Sequence, residues 1–234
     1  MSRVLDNAVT GIASVDKYHP LLREHLPYIK DLAQIAETQG PITSLDFSDD
    51  SGFQKFLDDC VVCHAPGVYS VAYLSPRYCA EVLKEVKKFP HTVNDEEPEE
   101  AQIPEVVFQN EHPVLFEVFR SFWADAGVTL AKVLLGLDPV NLTTVQAAQY
   151  VPKGISRGHW HIDQDSDVTL VVALNDDHKG GGTMVYRGPF QTPVEVPQNE
   201  TGWAMLFCGK VTQHYGIPVI EGERNLLVHW SEIK

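Results

Sequence analysis

The chain has 234 residues, of which 44% are hydrophobic and 21% are charged; this composition supports a buried core and argues against disorder along the whole chain. Its formal net charge of -14 repels phosphate backbones and anionic lipids, so we expect no nucleic-acid or membrane partner. Residues 1–20 lack the basic and apolar segments of an export signal, and no stretch approaches the ~20 apolar residues of a membrane span. We therefore expect a cytoplasmic location.

The first part of the chain, residues 1–66, is predicted to be a mainly helical extension. Apolar residues recur there at helical spacing. They are Tyr28, Ile29, Leu32, Ala33, Ile35 and Ala36. Pro27 is expected to open this helix, and Gly40 and Pro41 are expected to end it.

The four cysteines, Cys60, Cys63, Cys79 and Cys208, are too few and too scattered for a disulfide framework, which favours a reducing compartment. Cys60, Cys63 and His64 together match the CxxCH pattern of covalent haem attachment, but that chemistry normally requires export. They also resemble half of a zinc site, although no second pair of ligands follows at the usual spacing. We therefore expect core thiols near the end of a helix.

A strand followed by a helix is predicted for residues 67–89. The strand is rich in β-branched and aromatic residues, and Ser75 then supplies an N-cap, with Pro76 at the first helical position. The helix is expected to bury an apolar stripe made of Cys79, Val82, Leu83 and Val86. A second helix is predicted to begin at Pro113. Its core face is made of Leu115, Val118, Phe119 and Phe122.

The segment between these helices, residues 90–103, is acidic and carries almost no large apolar side chain. We predict an exposed loop, and the simplest interpretation is a solvated connection. The alternative is a mobile lid over a binding site, whose acidic side chains would favour a cationic substrate. These side chains are Asp95, Glu96, Glu97, Glu99 and Glu100.

From Leu142 onward, short β-rich runs alternate with turn residues. The runs are LTTVQAAQYV, DVTLVVAL, GTMVYR, TPVEV, GWAMLFC and NLLVHW. Short strands at this spacing, without intervening helical patterns, predict a sandwich, jelly roll or barrel. Runs that are apolar on both faces must be covered on both sides, and the N-terminal helices are the natural cover of one sheet. We therefore predict an α+β fold whose main domain comprises residues 67–234.

The pattern with most chemical content is His161-Ile162-Asp163. In an extended strand, residues i and i+2 point to the same side, so His161 and Asp163 can both bind one metal ion. Two histidines and one carboxylate form the facial triad of non-haem iron enzymes, of which this pair would be the short arm. His159 has the same parity, but it pairs with a histidine rather than a carboxylate and is the weaker ligand candidate. Such pairs arise by chance, so the motif needs a second arm.

The second arm of the candidate site is His214, which lies between two predicted strands. Arg224 follows at the start of the last strand, where a guanidinium can pair with a carboxylate inside an apolar pocket. The alternative is that His214 is a strand-end histidine and Arg224 a surface charge, which would leave the HxD pair to be explained separately. We therefore favour a metal site. Its apolar walls are expected to include Val171, Ala173, Leu206 and Leu226.

These residues resemble the prolyl-4-hydroxylase-like branch of the Fe(II)/2-oxoglutarate-dependent oxygenases. The likeness follows the order of elements from Gly67 to Trp230 and is most specific from Gln149 onward. Its marks are Gln149-Tyr150 before a glycine-containing loop, His161-x-Asp163, Leu174-Asn175 at the end of a strand, Gly181-Gly182-Thr183 at the start of the next, His214, and Arg224 six residues before Trp230. Collagen-type members usually have Lys where this chain has Arg224, and a pocket tyrosine of the family is Ala173 here.

The resemblance implies a double-stranded β-helix, or jelly-roll, core with supporting N-terminal helices. The implied Fe(II) ligands are His161, Asp163 and His214. Arg224 would form a salt bridge with the distal carboxylate of 2-oxoglutarate, which Tyr150 would also reach, and Thr169 would face the same cavity. Candidate substrate contacts are Arg187 at the end of a strand, Trp160, and Asp165, which continues the inward parity of the ligand pair.

The implied reaction is hydroxylation of an unactivated C–H bond by dioxygen, with conversion of 2-oxoglutarate to succinate and CO2; ascorbate is a candidate supporting reductant. Because Asp163 fills the carboxylate position, no ligand site is free for halide, which favours hydroxylation over halogenation. The substrate is expected to be a peptidyl or free amino acid, or another small metabolite. The alternative is a jelly-roll metal-binding or sensory protein without turnover, against which a complete triad beside Arg224 argues.

Overall fold

The computed structural model of the chain describes residues 14–39, 50–95, 99, 102–152 and 159–233. Of the acidic residues predicted to form a loop or a lid, Asp95 and Glu99 are described, and both are exposed. The others, Glu96, Glu97 and Glu100, lie outside the described residues. The choice between a solvated connection and a lid therefore stays open.

The main helices lie in the first half of the chain, and their ends follow local sequence rules. They are α1 (Pro20–Gln39), α2 (Ser51–Cys60), α3 (Pro76–Val86), α4 (Phe108–Glu111) and α5 (Pro113–Phe122). Asp50 caps α2 and Ser75 caps α3, each by accepting hydrogen bonds from backbone N–H groups of the first turn. Beyond α5 the chain stays helical through Trp123–Gly127, Val128–Leu130 and Ala131–Leu135. Gly136, with its left-handed backbone, ends the helix.

The strands form two sheets and a short ribbon. They are β1 (Val61–Ala65), β2 (Val68–Ala72), β3 (Glu105–Val107), β4 (Pro139–Tyr150), β5 (Val168–Ala173), β6 (Lys179–Gly180), β7 (Thr183–Val185), β8 (Val194–Val196), β9 (Trp203–Phe207), β10 (His214–Gly216), β11 (Val219–Glu221) and β12 (Arg224–Ile233). The seven-stranded sheet has the order β1-β2-β9-β5-β12-β4-β3, the three-stranded sheet the order β10-β7-β8, and β11 pairs with β6. The described pairings are antiparallel.

The seven-stranded sheet is covered on both faces, as its apolar runs predicted. On one face, alternate residues such as Leu170 and Val172 of β5 pack with the helices in the main hydrophobic core. On the other face, Phe207 of β9 packs with Val185 and Val196 of the three-stranded sheet. The α+β prediction with a jelly-roll core is confirmed: two sheets face each other, and the helices cover the outer side of the larger one.

The first long helix begins earlier than predicted. It starts at Pro20, and Pro27 lies inside it rather than at its first position. Leu22, Leu26 and Ile29 are all buried, so one apolar stripe runs without interruption past the proline. Burial of that stripe outweighs the one backbone hydrogen bond that an internal proline removes. The predicted starts of the later helices, Pro76 and Pro113, are confirmed by α3 and α5.

The two neighbouring cysteines have different surroundings. Cys60 is buried at the end of α2, as predicted, whereas Cys63 is exposed on β1. The expectation of core thiols is therefore wrong for Cys63. The reason is that β1 lies at the edge of the seven-stranded sheet, where one side of a strand meets solvent.

No helix in the part of the chain that the structure describes has the length and apolar character of a membrane span. The division of the chain at residue 66 and the cytoplasmic location stay predictions.

A buried histidine lies at the contact between β12 and the helices. His229 is 1% exposed, and its ring packs against Tyr73, Phe119 and Trp123. Its Nδ1 lies 3.4 Å from the carbonyl oxygen of Leu170. Burial lowers the pKa of His229 to about 4, so the ring is neutral in the folded protein at pH 7.

We expect His229 to make the folded state sensitive to acid. Because its folded pKa is lowered, the unfolded chain binds the proton more readily, and stability that is full above pH 6.5 is lost as the pH falls toward 4. The loss is roughly 3 kcal/mol of unfolding free energy. Urea titrations at pH 7.5 and pH 4.5 should show a smaller difference between the two pH values in His229→Leu than in the wild type. An equal difference would assign the acid sensitivity to other groups.

Candidate metal centre and its cavity

Three side chains converge on one point between the two sheets. The ligand atoms of His161, Asp163 and His214 all lie within 4.8 Å of one another. Asp163 Oδ1 is 3.6 Å from Nε2 of His161 and 3.9 Å from Nε2 of His214. These separations suit atoms that share a metal ion, since each would bind it from about 2 Å away. Among the described residues this is the one group of His, Cys, Asp and Glu side chains with such geometry.

Backbone pairing brings the two arms of the group together. The backbone N–H and carbonyl groups of His161 and His214 exchange two hydrogen bonds of 2.9 Å. The N–H of Asp163 donates to the carbonyl oxygen of Gly209 at 3.1 Å. His214 is the first residue of β10, so the three-stranded sheet positions His214 directly and His161 by pairing, while the loop after β9 positions Asp163.

Hydrogen bonds to the backbone orient both histidine rings. Nδ1 of His161 lies 2.6 Å from the carbonyl oxygen of His159, and Nδ1 of His214 lies 2.9 Å from that of Thr212. A carbonyl oxygen only accepts, so each Nδ1 carries the proton and each Nε2 keeps its lone pair. Nε2 of both rings is the atom that faces Asp163. This is the tautomer that a metal ion requires.

The carboxylate of Asp163 is held in the same way. Its Oδ2 accepts a hydrogen bond of 2.6 Å from the hydroxyl of Thr169, which leaves Oδ1 facing the two histidines. Burial raises the pKa of Asp163, but the neighbouring imidazoles of His161 and His214 and the hydrogen bond from Thr169 outweigh it, and the net shift is downward. Burial also lowers the pKa of His214. At neutral pH the carboxylate is therefore ionised and the imidazole neutral, as metal binding needs.

A single cavity of about 650 Å³ connects the metal group to Arg224. Alternate residues of β12 line it, namely Arg224, Leu226, Val228 and Trp230, because their side chains point to the same side of the sheet. From the neighbouring strand β4, Tyr150 is the register partner of Arg224. The Cζ atom of Arg224 lies 5.5 Å from the centre of the Tyr150 ring, a cation–π distance.

Arg224 is a buried cation that no acid pairs with in the described part of the chain. It is only 5% exposed, and burial lowers its pKa. Its Nε has no hydrogen-bond partner. A buried charge is costly unless a partner offsets it. Arg224 is therefore arranged to bind an anionic group that enters the cavity.

Asn175 fixes the backbone on both sides of Arg224. Its side-chain oxygen accepts a hydrogen bond of 2.8 Å from the N–H of Asn225, and its amide nitrogen donates to the carbonyl oxygen of Glu223 at 2.7 Å. The Leu174-Asn175 pair, singled out in the sequence, thus holds the start of β12 in place.

Of the three candidate substrate contacts, one lies in the cavity and two lie outside it. Asp165 lines the cavity, but Trp160 and Arg187 are not among the residues that do so. Trp160 lies between two inward-pointing histidines, so its side chain points outward, and it contacts Tyr215 with ring centres 4.5 Å apart. Arg187 is exposed after the end of β7. A role for either of them inside the cavity is therefore not supported.

The structure corrects one expected wall residue of the cavity and adds a polar wall that was not predicted. Leu206 was expected in its wall but lies in the core beneath the helices; its neighbours Met205 and Phe207 line the cavity instead. The strand is apolar at every position, so the sequence does not tell which parity faces inward. Sequence reasoning also missed a polar wall made of Gln109, Thr144 and Gln146. The signal for the last two was their parity with Tyr150 on one strand.

Comparisons with known proteins agree with this fold. No family model matches the chain. The multifunctional procollagen lysine hydroxylase and glycosyltransferase of Caenorhabditis elegans is 28% identical over 192 residues, which covers 76% of this chain but 26% of the relative. The chain thus spans about a quarter of the length of that curated relative.

Solved structures give the same result for the architecture. A Pseudomonas putida prolyl-4-hydroxylase superposes with a TM-score of 0.57 at 15% identity, covering 73% of this chain and 94% of the other. A prolyl hydroxylase from Trichoplax adhaerens, in complex with a peptide fragment of the hypoxia-inducible factor oxygen degradation domain, gives 0.57 at 15% identity, covering 71% and 84%. At this identity the likeness establishes the fold: a double-stranded β-helix of the type found in these hydroxylases.

We expect one Fe(II) per chain, bound by the three converging side chains. Replacing any one of them, as in His161→Ala, Asp163→Ala or His214→Ala, should abolish binding because each removes a ligand that the other two cannot replace. Anaerobic calorimetric titration with Fe(II) measures the stoichiometry. His159→Ala is the matched control and should keep the metal. Metal loss in that control, together with retention in His161→Ala, would show that the ligand pair has been assigned wrongly.

Proposed function

We propose that the chain is an Fe(II)- and 2-oxoglutarate-dependent oxygenase that hydroxylates an unactivated C–H bond of an amino-acid side chain. One observation carries the proposal: the three potential metal ligands line the same cavity as Arg224, which has no acidic partner among the described residues. Two imidazoles and one carboxylate are the donor set of non-haem iron oxygenases. A non-catalytic metal-binding protein would gain nothing from a buried cation that lacks an acid partner.

The donor set fits Fe(II) because three side chains supply ligands from one direction. His161, Asp163 and His214 would hold Fe(II), and a set of three protein ligands would leave coordination positions for a co-substrate and dioxygen. When bound, Fe(II) and 2-oxoglutarate together supply the oxidising chemistry, with release of succinate and CO2. A supporting role for ascorbate stays a prediction.

The other residues of the cavity would bind the co-substrate and exclude water. Arg224 would hold the distal carboxylate of 2-oxoglutarate by a charge-assisted pair, and Tyr150 lies against its guanidinium. Apolar side chains on the same face, Val171, Phe207 and Leu226, line the cavity and would exclude water from the reacting atoms. Thr169 lines the cavity, as expected, and its hydroxyl donates to Asp163. Its role is to hold that carboxylate.

The charges of the cavity favour a cationic substrate. Glu105 and Asp165 line it, and Arg224 is the only Lys or Arg among the described residues that do so. Once a co-substrate carboxylate engages Arg224, the remaining charge on the walls is acidic, which attracts an ammonium group. The procollagen lysine hydroxylase named above supports the same choice. We infer that a lysyl side chain, in a peptide or as the free amino acid, is the preferred substrate.

Succinate formation tests the reaction and the substrate together. Purified enzyme with Fe(II), dioxygen and 2-oxoglutarate should form more succinate with a lysyl peptide than with a peptide in which Gln or Pro replaces the Lys. The preference should weaken as salt rises, because screening reduces the attraction of the acidic walls. A preference for the prolyl peptide would overturn the lysyl assignment. Succinate formation that no amino-acid substrate stimulates would overturn the assignment to an amino-acid side chain and favour another small metabolite, whereas no succinate under any condition would favour the non-catalytic alternative.

We expect Arg224→Ala mainly to weaken 2-oxoglutarate binding. Truncating one partner of a buried charge-assisted pair costs roughly 2 to 5 kcal/mol, so the KM for 2-oxoglutarate should rise much more than kcat falls. Tyr150→Phe keeps the ring beside the guanidinium and should have a smaller effect of the same kind. Steady-state kinetics with varied 2-oxoglutarate measures both changes. An unchanged KM in Arg224→Ala would remove this residue from the co-substrate site.

A further inference from the structure

Three polar side chains meet at Gly181, behind the guanidinium of Arg224. A Cβ placed on Gly181 would lie 3.0 Å from Cε1 of His178, 3.1 Å from Cδ of Arg224 and 3.3 Å from Oε1 of Gln198. The backbone of Gly181 has a φ of +85°, a conformation that residues with side chains rarely adopt. The missing side chain therefore lets His178, Gln198 and Arg224 approach one another.

Each of these side chains has a buried polar atom without a hydrogen-bond partner. They are Nδ1 and Nε2 of His178, Oε1 of Gln198 and Nε of Arg224. Leaving a buried donor or acceptor unpaired costs about 1 to 3 kcal/mol, so several at one point are not expected by chance. The cluster is therefore a polar site in its own right, next to the co-substrate end of the cavity.

The donors and acceptors of the cluster are complementary. The amide nitrogen of Gln198 donates to the backbone oxygen of Asn199 at 2.9 Å, and Oε1 lies at Gly181, where the side chain of Arg224 also passes. An amide oxygen only accepts and the Nε–H of an arginine only donates, so the two orphaned atoms match. Gln198 is also neutral, so a hydrogen bond to its oxygen would leave the positive charge of Arg224 available to an anion.

The space beside the cluster limits what else can enter. A small void of about 10 Å³ is lined by Gln198, Asn199 and Arg224 together with mainly apolar side chains. That volume is close to the minimum for one water molecule and too small for a carboxylate. Because Arg224 Nε and Gln198 Oε1 are not bonded to each other directly, we expect one water molecule in this void to link the Nε–H to Gln198.

His178 closes the other side of the cluster without adding charge. Burial, together with the charge of Arg224, lowers the pKa of His178. The imidazole is therefore neutral at pH 7, and Arg224 stays the one cation at this end of the cavity within the described residues.

We propose that Gln198 is the positioning residue of Arg224: its side-chain oxygen binds the Nε–H through one water molecule and so turns both terminal NH₂ groups toward the distal carboxylate of the co-substrate. The proposal rests on the function proposed above, since it assigns that carboxylate to Arg224. It adds a residue from the loop after β8, a segment that no metal ligand occupies.

The test uses Gln198→Glu, which changes an amide to a carboxylate of nearly the same shape. A carboxylate at this position would pair with Arg224 and compete with the co-substrate. In anaerobic calorimetry with Mn²⁺-loaded protein, the Kd for 2-oxoglutarate should rise at least about tenfold. The Tm without co-substrate should be equal to or above that of the wild type, because a buried cation gains a partner. A raised Kd together with an equal or higher Tm would show that the side chain at position 198 acts on Arg224, because a merely structural role would lower the Tm.

Two further variants complete the design. Gln54→Glu adds the same charge on the exposed surface of α2 and should leave both Kd and Tm unchanged. Gln198→Met removes the acceptor while keeping the length of the side chain, and should raise the Kd about threefold or more. It keeps the proposal testable even where Gln198→Glu does not fold.

Each contrary result has one meaning. A Kd within twofold of the wild type in Gln198→Met overturns the positioning role even where Gln198→Glu weakens binding, because a new carboxylate would compete for Arg224 in either case. A raised Kd with a lowered Tm in both variants assigns Gln198 to packing and overturns it as well. Arg224→Ala in the same titration separates the two proposals: unchanged binding there contradicts the co-substrate anchor itself, whereas weakened binding there with normal binding in the Gln198 variants contradicts only the inference about Gln198.

Discussion

Strand β12 has to satisfy two different surroundings at once, and the position of the site depends on how it does so. Leu227 and His229 face the helices, while Arg224 and Trp230 face the cavity between the sheets. A slip of one residue would exchange the two sets and place the guanidinium in the helix-packed core. Pairing with β4 on one side and β5 on the other fixes this register. The packing that stabilises the sheet is therefore the same packing that aims Arg224.

The two ends of the cavity have matching electrostatic demands. A divalent cation held by one carboxylate and two neutral imidazoles retains one positive charge, and Arg224 supplies another at the far end. A dicarboxylate such as 2-oxoglutarate carries the complementary charges at a fixed separation. The pKa shifts agree with this arrangement, since Asp163 is kept ionised and His214 neutral. Both ends thus have the required charge before any ligand binds, which reduces the reorganisation needed on binding.

Periodicity in the sequence predicted the strands and helices and paired His161 with Asp163, while the jelly-roll core and the addition of His214 came from the family resemblance. Periodicity failed where it carries no information. The i, i+2 rule placed His161 and Asp163 on one side of the chain, and the structure brings them together with His214. The same rule could not orient β9, because every residue of that strand is apolar, and Leu206 was assigned to the wrong face. The helix start predicted at Pro27 was wrong for a different reason. Proline is a strong local signal for a helix start, but burial of a longer apolar stripe outweighed it and the helix begins earlier.

The cluster around Gly181 shows why some functional residues escape any local pattern. His178 and Gln198 belong to different loops, and only the backbone at Gly181 brings them to Arg224. Both side chains are neutral, which lowers the stability of the ligand-free protein, because an acid at either position would neutralise the buried charge of Arg224. On the proposed function, it would also occupy the cation that binds the co-substrate. Leaving Arg224 without an acid therefore exchanges stability for binding, a compromise expected at functional sites.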